Sequence, residues 1–235
     1  MRRRVTAKER RLVLHNALCK IRTPVLGCEY EENAGAAGGV YIILLSMTDV
    51  VPEPPRRSNG HLPGGRLSGR IKLLRGDITE QRGVDALVAA VPRDLDLSGS
   101  LNRALIRAAG PGLEDFVHEH IFKPRPGDVF ALPAFALPVK SILYVITPEW
   151  RSGFEREEQM LLRCYRRAIE TAQNMGLKKI ALPALGTGEF GYPAPRAARL
   201  ALQGIKDRMD GRMEEIRIVC NKDDVYAAFA ERVGK

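Results

Sequence analysis

From Gly69 onward the chain alternates short, continuous apolar runs with longer stretches of helical period, and that alternation predicts an α/β domain. The runs at 70–75, 84–91, 128–132, 141–146, 179–182 and 216–220 read as strands; the second is stopped by Pro92. Between them, 101–109 and 112–120 read as helices separated by Gly110-Pro111-Gly112, and 154–175 is the clearest helix of all. In that helix Leu161, Tyr165, Ala168, Ile169 and Ala172 make one apolar stripe. Arg156, Arg163, Arg166, Arg167 and Glu170 face outward, and Gly176 is placed to end the helix. A helix over 195–209 and a last one over 225–233, capped by Asp223, complete the pattern. The strands are continuously apolar rather than alternating, so the sheet is expected to be covered on both faces.

Upstream of Gly69 the texture is different. Residues 4–22 carry apolar positions at helical spacing inside a basic stretch, which allows a surface helix or an unstructured tail. Residues 40–47 read as a strand, and 52–65 are rich in Pro, Gly and Arg, the composition of a linker. The chain therefore divides into an N-terminal extension, 1–65, poorly structured, and a folded domain, 66–235. Met47 is a candidate native start.

Charge sharpens this division. Residues 1–69 hold 11 Lys and Arg against 6 Asp and Glu, whereas 70–235 hold 26 against 22. The basic excess is concentrated in the extension, where it favours acidic partners such as nucleic acid, or is simply a solvated arginine-rich tail. The longest apolar run, Val40 to Leu45, is far below the roughly 18 residues that span a bilayer, so no membrane partner is expected. Cys19, Cys28, Cys164 and Cys220 fall in no metal-ligand or redox spacing and read as reduced thiols of a cytoplasmic protein. His118 and His120 flank Glu119 on a helix, where side chains two apart diverge, so no metal site is expected there.

Candidate chemistry lies in three loops, each after the carboxyl end of a strand, where ligands of such folds bind. The richest is Gly186-Thr187-Gly188-Glu189-Phe190-Gly191-Tyr192-Pro193, a glycine loop between strand and helix. Successive N–H groups of such a loop can hold an anion such as a diphosphate, and Phe190 and Tyr192 would add flat surface for a nucleotide or ribose. A tight turn with packed aromatics fits the same residues. Asp77 follows the first strand, as a ligand-binding carboxylate or as a turn cap. Ser98-Gly99-Ser100 lies in the loop after the second.

Together, these loops resemble those of the macro domain family of ADP-ribose-binding modules. The likeness runs from about Arg70 to Val233 and is carried by Gly76-Asp77-Ile78-Thr79, Val84-Asp85-Ala86-Leu87-Val88, Arg107-Ala108-Ala109-Gly110, Pro126-Gly127-Asp128-Val129, Tyr144-Val145-Ile146-Thr147-Pro148 and the loop from Gly186 to Pro193. It implies a three-layer α/β/α fold with a mixed central sheet. It also implies that Asp77 accepts from the adenine amino group with the Ile78 N–H beside it. The amides of Gly186, Thr187, Gly188, Glu189, Phe190 and Gly191 would hold the diphosphate, with Phe190 against the distal ribose. Ser98, Gly99, Ser100 and Leu101 would close over the phosphates, and Asn221 stands near where the family often places an aromatic over the adenine.

The resemblance also has departures. Hydrolytic members carry an Asn-Ala-Ala-Asn stretch, and one large class adds an Asp at the start of the following helix. Here Ala89, Val91 and Asn102 are set against those positions, and asparagine cannot serve as a general base. Asp94 and Asp96 are the substitute carboxylates of that loop, or else solvated loop acids. The expected function is binding of ADP-ribose or ADP-ribosylated protein without a cofactor. An ADP-ribosyl hydrolase with a rearranged site is the alternative, and binding of another nucleotide or an RNA end a third.

Overall fold

The computed structural model describes residues 68–153 and 156–233. The extension 1–65, its basic character, Met47, Cys19 and Cys28 lie outside the described residues. Among the described residues six strands form one sheet: β1 (Ile71–Arg75), β2 (Ala86–Val91), β3 (Val129–Pro133), β4 (Ser141–Ile146), β5 (Lys179–Pro183) and β6 (Glu215–Cys220). Their order is β1-β6-β5-β2-β4-β3, with every neighbouring pair parallel except β3 with β4. The sheet is therefore mixed. Its antiparallel strand sits at an edge, where Pro133 removes no inner ladder bond.

Five helices cover this sheet among the described residues: α1 (Ser100–Ala109), α2 (Gly112–His120), α3 (Glu157–Asn174), α4 (Ala194–Arg208) and α5 (Asp223–Val233). Alternate residues of β2 point to opposite faces. Ala86, Val88 and Ala90 join the core beneath α3, α4 and α5, while Leu87, Ala89 and Val91 join the core beneath α1 and α2. All six residues of β2 and of β4 are buried, the three-layer consequence of continuously apolar strands. No described helix is long and apolar enough to cross a membrane.

The apolar stripe of α3 is buried throughout, and Arg156 and Arg163 are exposed. The helix stops as its sequence suggests. Gly176 takes a φ of +70°, its N–H donates to the Gln173 carbonyl at 3.0 Å, and the Leu177 N–H donates to Ala172 at 2.9 Å. Its start lies later than periodicity suggests, because the buried Glu157 carboxylate accepts the N–H groups of Arg151 (2.9 Å) and Ser152 (3.0 Å) and turns the chain there. Likewise β2 begins at Ala86 rather than at 84. Asp85 instead accepts from the amides of Lys178 and Lys179 at 2.8 and 2.9 Å, tying the foot of β2 to that of β5. Burial raises the Asp85 pKa, but the Lys140 ammonium and those two amides more than offset it, so the carboxyl is held below its ordinary value. Asp223 is the first residue of α5 rather than a preceding cap, and its carboxylate pairs with Arg75 at 2.6 Å.

Candidate functional site

At the carboxyl ends of β1, β6, β5 and β2 the loops enclose a cavity of about 570 Å³, a volume ordinary for a small-molecule site. Asp77 and Ile78 form the wall after β1, and Gly99, Ser100 and Leu101 the wall at the start of α1. Gly186, Thr187, Gly188, Glu189 and Phe190 form the wall after β5, and Asn221 the wall after β6. These eleven residues, which the resemblance implies as ligand contacts, are brought by the fold to one place. Ser98 and Gly191 are not part of the cavity lining.

The glycine loop is held from below so that its middle is free. Gly186 has a φ of +89°, its carbonyl accepts the Tyr192 N–H at 2.9 Å, and the Thr187 hydroxyl donates to Ala184 at 2.8 Å. The Phe190 carbonyl accepts the Trp150 N–H at 2.7 Å, anchoring the far end. Among the described residues, the N–H groups of Gly188, Glu189 and Phe190 have no acceptor. Three consecutive unsatisfied donors on a cavity wall are what an anion needs. Tyr192 is not part of that surface. It is 3% exposed, its ring packs against Trp150 at 5.2 Å, and its hydroxyl donates to the Glu157 carbonyl at 3.0 Å. The aromatic spacing predicted two faces toward a ligand; the chain reversal at Gly186 turns one of them into the core.

Asp77 does what a turn residue does. Its Oδ1 accepts both the N–H and the hydroxyl of Thr79 at 2.8 Å, capping the short helical turn Ile78–Glu80. Its Oδ2 accepts nothing among the described residues, so the cap and a ligand contact are compatible. On the opposite wall α1 has Gly99 as its N-cap, which offers no side chain to the first free N–H groups. The carboxylate of Glu189 supplies the acceptor instead, taking the Ser100 N–H on its Oε1 at 2.9 Å.

Asn102 is 4% exposed and lines the cavity. Its Nδ2 donates to the Ala90 carbonyl at 3.1 Å, while its Oδ1 is buried with no partner among the described residues. Such an orphaned acceptor suits a hydroxyl-bearing ligand. Arg107 and Lys222, both exposed, line the cavity too and balance the charges of Asp77 and Glu189. Arg107 follows Ser100 and Ala104 at helical spacing, so the period of α1 carries it to the same wall. Cys220 also lines the cavity, but burial pushes its thiol up to about 11, which keeps it protonated and poorly nucleophilic at neutral pH.

The loop acids point elsewhere. Asp96 accepts the Ser98 N–H at 2.8 Å and the Ser98 hydroxyl at 2.9 Å, and these bonds hold its carboxyl below the ordinary range. Asp94 accepts the Asp96 N–H at 3.2 Å. Neither lines the cavity. Val91 does not line it either, being fully buried on the α1 and α2 side of β2. An asparagine there would bury an amide in the apolar core, whereas the neighbouring Ala90 is the β2 residue that reaches the cavity. Among the described residues no three His, Cys, Asp or Glu side chains gather as a metal group; His120 stacks on Phe116 instead, with ring centroids 4.0 Å apart.

A mixed sheet of this order, covered by helices on both faces, defines a three-layer α/β/α module, and comparison with known proteins is more specific. The Macro domain family model matches residues 88–201. A macro domain-containing protein of Methanosarcina mazei is 36% identical over 168 residues, covering 71% of this chain and 89% of the relative. A Cronobacter turicensis protein named O-acetyl-ADP-ribose deacetylase is 30% identical over 174 residues, covering 72% of this chain and 98% of the relative. Among solved structures, the Oceanobacillus iheyensis macrodomain with ADP has a TM-score of 0.65 at 27% identity, covering 70% of this chain and 90% of that one. The Trypanosoma brucei macrodomain in complex with ADP-ribose has a TM-score of 0.62 at 27% identity, covering 70% and 69%. The chain belongs to the macro domain family.

Proposed function

We propose that this macro domain binds ADP-ribose, free or attached to protein, without efficient turnover. The observation that carries the reading is the row of unsatisfied amides at Gly188, Glu189 and Phe190 on one cavity wall, opposite the start of α1. A diphosphate bound between them would meet donors from the loop and the positive end of a helix. The open Oδ2 of Asp77 suits the adenine amino group, and the orphaned Oδ1 of Asn102 suits a ribose hydroxyl. Relatives and structural neighbours whose names include ADP-ribose or ADP support the choice of ligand.

The second reading is hydrolysis of an ADP-ribose derivative, favoured by relatives named O-acetyl-ADP-ribose deacetylase. Against it stands the disposition of the acids. Asp94 and Asp96 lie off the cavity, Asp77 is engaged as a cap, Glu189 is engaged by the Ser100 N–H, and the amide of Asn102 cannot remove a proton from water. Calorimetry with ADP-ribose on the full chain, paired with turnover assays on O-acetyl-ADP-ribose and on mono-ADP-ribosylated protein, decides between the two. Saturable one-to-one binding with at most slow product release is the expected result. Rapid multiple turnover would replace the binding reading with the hydrolytic one.

Residues 66–235 are proposed to be a separable module, because the strands and helices within them make a complete six-stranded sheet with a buried core on each face. Expressed alone, that segment is expected to unfold cooperatively on heating and to bind ADP-ribose as the full chain does. An unfolded product from a chain that folds at full length would move the boundary upstream.

A further inference from the structure

We propose that the Glu189 side chain is a built-in competitor for the anionic part of the ligand, and that it thereby sets which ligands the cavity accepts. The proposal rests on the reading of the cavity as an ADP-ribose site.

Helix α1 is ten residues long and starts with donors that its own turn cannot satisfy. Its N-cap, Gly99, makes no side-chain cap bond. The acceptor comes from across the cavity, 89 residues away, where Glu189 Oε1 takes the Ser100 N–H at 2.9 Å. The other carboxylate oxygen, Oε2, lies against the bare Cα of Gly99, where even a methyl group would collide with it. A carboxylate seated on a helix N-terminus occupies the place that suits a phosphate group, with the same sign of charge and anionic acceptor oxygens of its own. Glu189 is itself exposed and follows Gly188 in the loop, so the contact is a latch between two walls rather than a buried strut.

A second, independent feature points to a ligand on this wall. Asn102, two residues into the same helix, keeps a buried Oδ1 with no partner among the described residues while lining the same cavity. A ligand that satisfies Asn102 and carries phosphates must pass or displace the Glu189 carboxylate. In doing so it exchanges one anion for another at the Ser100 N–H and keeps Glu189 nearby as a like charge. A ligand without phosphates meets no such opposition. Glu189 therefore discriminates by ligand charge: it weakens diphosphates and leaves the nucleoside portion untouched.

The test is calorimetric titration of the full chain and of its Glu189→Gln and Glu189→Ala variants with ADP-ribose and with adenosine, after thermal melting confirms that all three are folded. The Kd for ADP-ribose is expected to tighten about tenfold in both variants, the effect of removing one nearby like charge at a partly solvated site. Adenosine is expected to bind all three forms equally. Tightening in Glu189→Ala alone would overturn discrimination by charge, since the neutral amide of Gln would then oppose the ligand as the carboxylate does. An ADP-ribose Kd unchanged or weakened in both variants would overturn the proposal while leaving the binding function standing, and equal tightening of adenosine would overturn it as well. Folded proteins of which none binds ADP-ribose would overturn the reading of the cavity and this proposal together.

Discussion

Replacing Asp77 by alanine is expected to weaken ADP-ribose binding by about 1.5–3 kcal/mol, the usual range for a hydrogen bond with a charged partner. The same substitution also lowers stability. Oδ1 of Asp77 holds both the N–H and the hydroxyl of Thr79, and loss of such a cap costs about 0.5–2 kcal/mol. The two effects separate in Asp77→Asn. Asparagine caps as well as aspartate, so its carbonyl keeps the Thr79 N–H and the melting temperature stays near that of the unaltered protein. Its remaining group is then an NH₂, which faces the adenine amino group donor to donor, and affinity falls nearly as far as in the alanine variant. Calorimetry and thermal melting of both variants give the result. Asp77→Asn with undiminished affinity would mean that the carboxylate serves the turn alone, and the adenine contact would have to be sought elsewhere on the cavity wall.

The fold was largely legible because its strands and helices announce themselves by period. The second helix and β4 fall at the residues that periodicity predicts, Gly112–His120 and Ser141–Ile146, since each has punctuation at both ends and an apolar pattern between. Boundaries moved where a side chain competes with the pattern. Asp85 and Glu157 each draw backbone amides onto a carboxylate and so decide where an element begins. The location of the site was legible for a related reason: strand ends in such a sheet converge, so Asp77, Gly99 and Gly188 meet although the sequence separates them.

Directions of side chains were much less legible. Val91 and Ala90 are adjacent in sequence yet face opposite layers, and only the two-residue period of a buried strand says which of them reaches the site. Asp94, Asp96 and Ser98 form a self-contained set of short loop hydrogen bonds, which turns acids that look available toward their own backbone. The Glu189 contact to Ser100 spans two loops, and nothing local to either one signals it.

Gly186 and Gly188 are expected to differ in how the same added methyl group affects stability, which tests scaffold and ligand contact apart. At Gly186 the φ of +89° is strained for any L side chain, and a Cβ would stand 2.8 Å from Tyr192 Cδ2 and 3.3 Å from Leu161 Cδ2. The ring cannot step aside easily, because Tyr192 is buried and its hydroxyl is tied to Glu157. Strain and overpacking together put the cost of Gly186→Ala at about 2–4 kcal/mol of stability, with binding lost as the loop shifts. A Cβ at Gly188, in contrast, meets nothing within 4 Å, so Gly188→Ala is expected to melt within a degree or two of the unaltered protein, as for about ±0.5 kcal/mol. Its methyl nevertheless stands beside the unsatisfied amides, where a bound diphosphate would need close approach to the backbone. Affinity for ADP-ribose is therefore expected to fall by about tenfold or more with the fold intact. Calorimetric titration of Gly188→Ala is the decisive measurement: undiminished binding would show that the diphosphate does not lie on this loop, and the amides of Gly188, Glu189 and Phe190 would need another occupant.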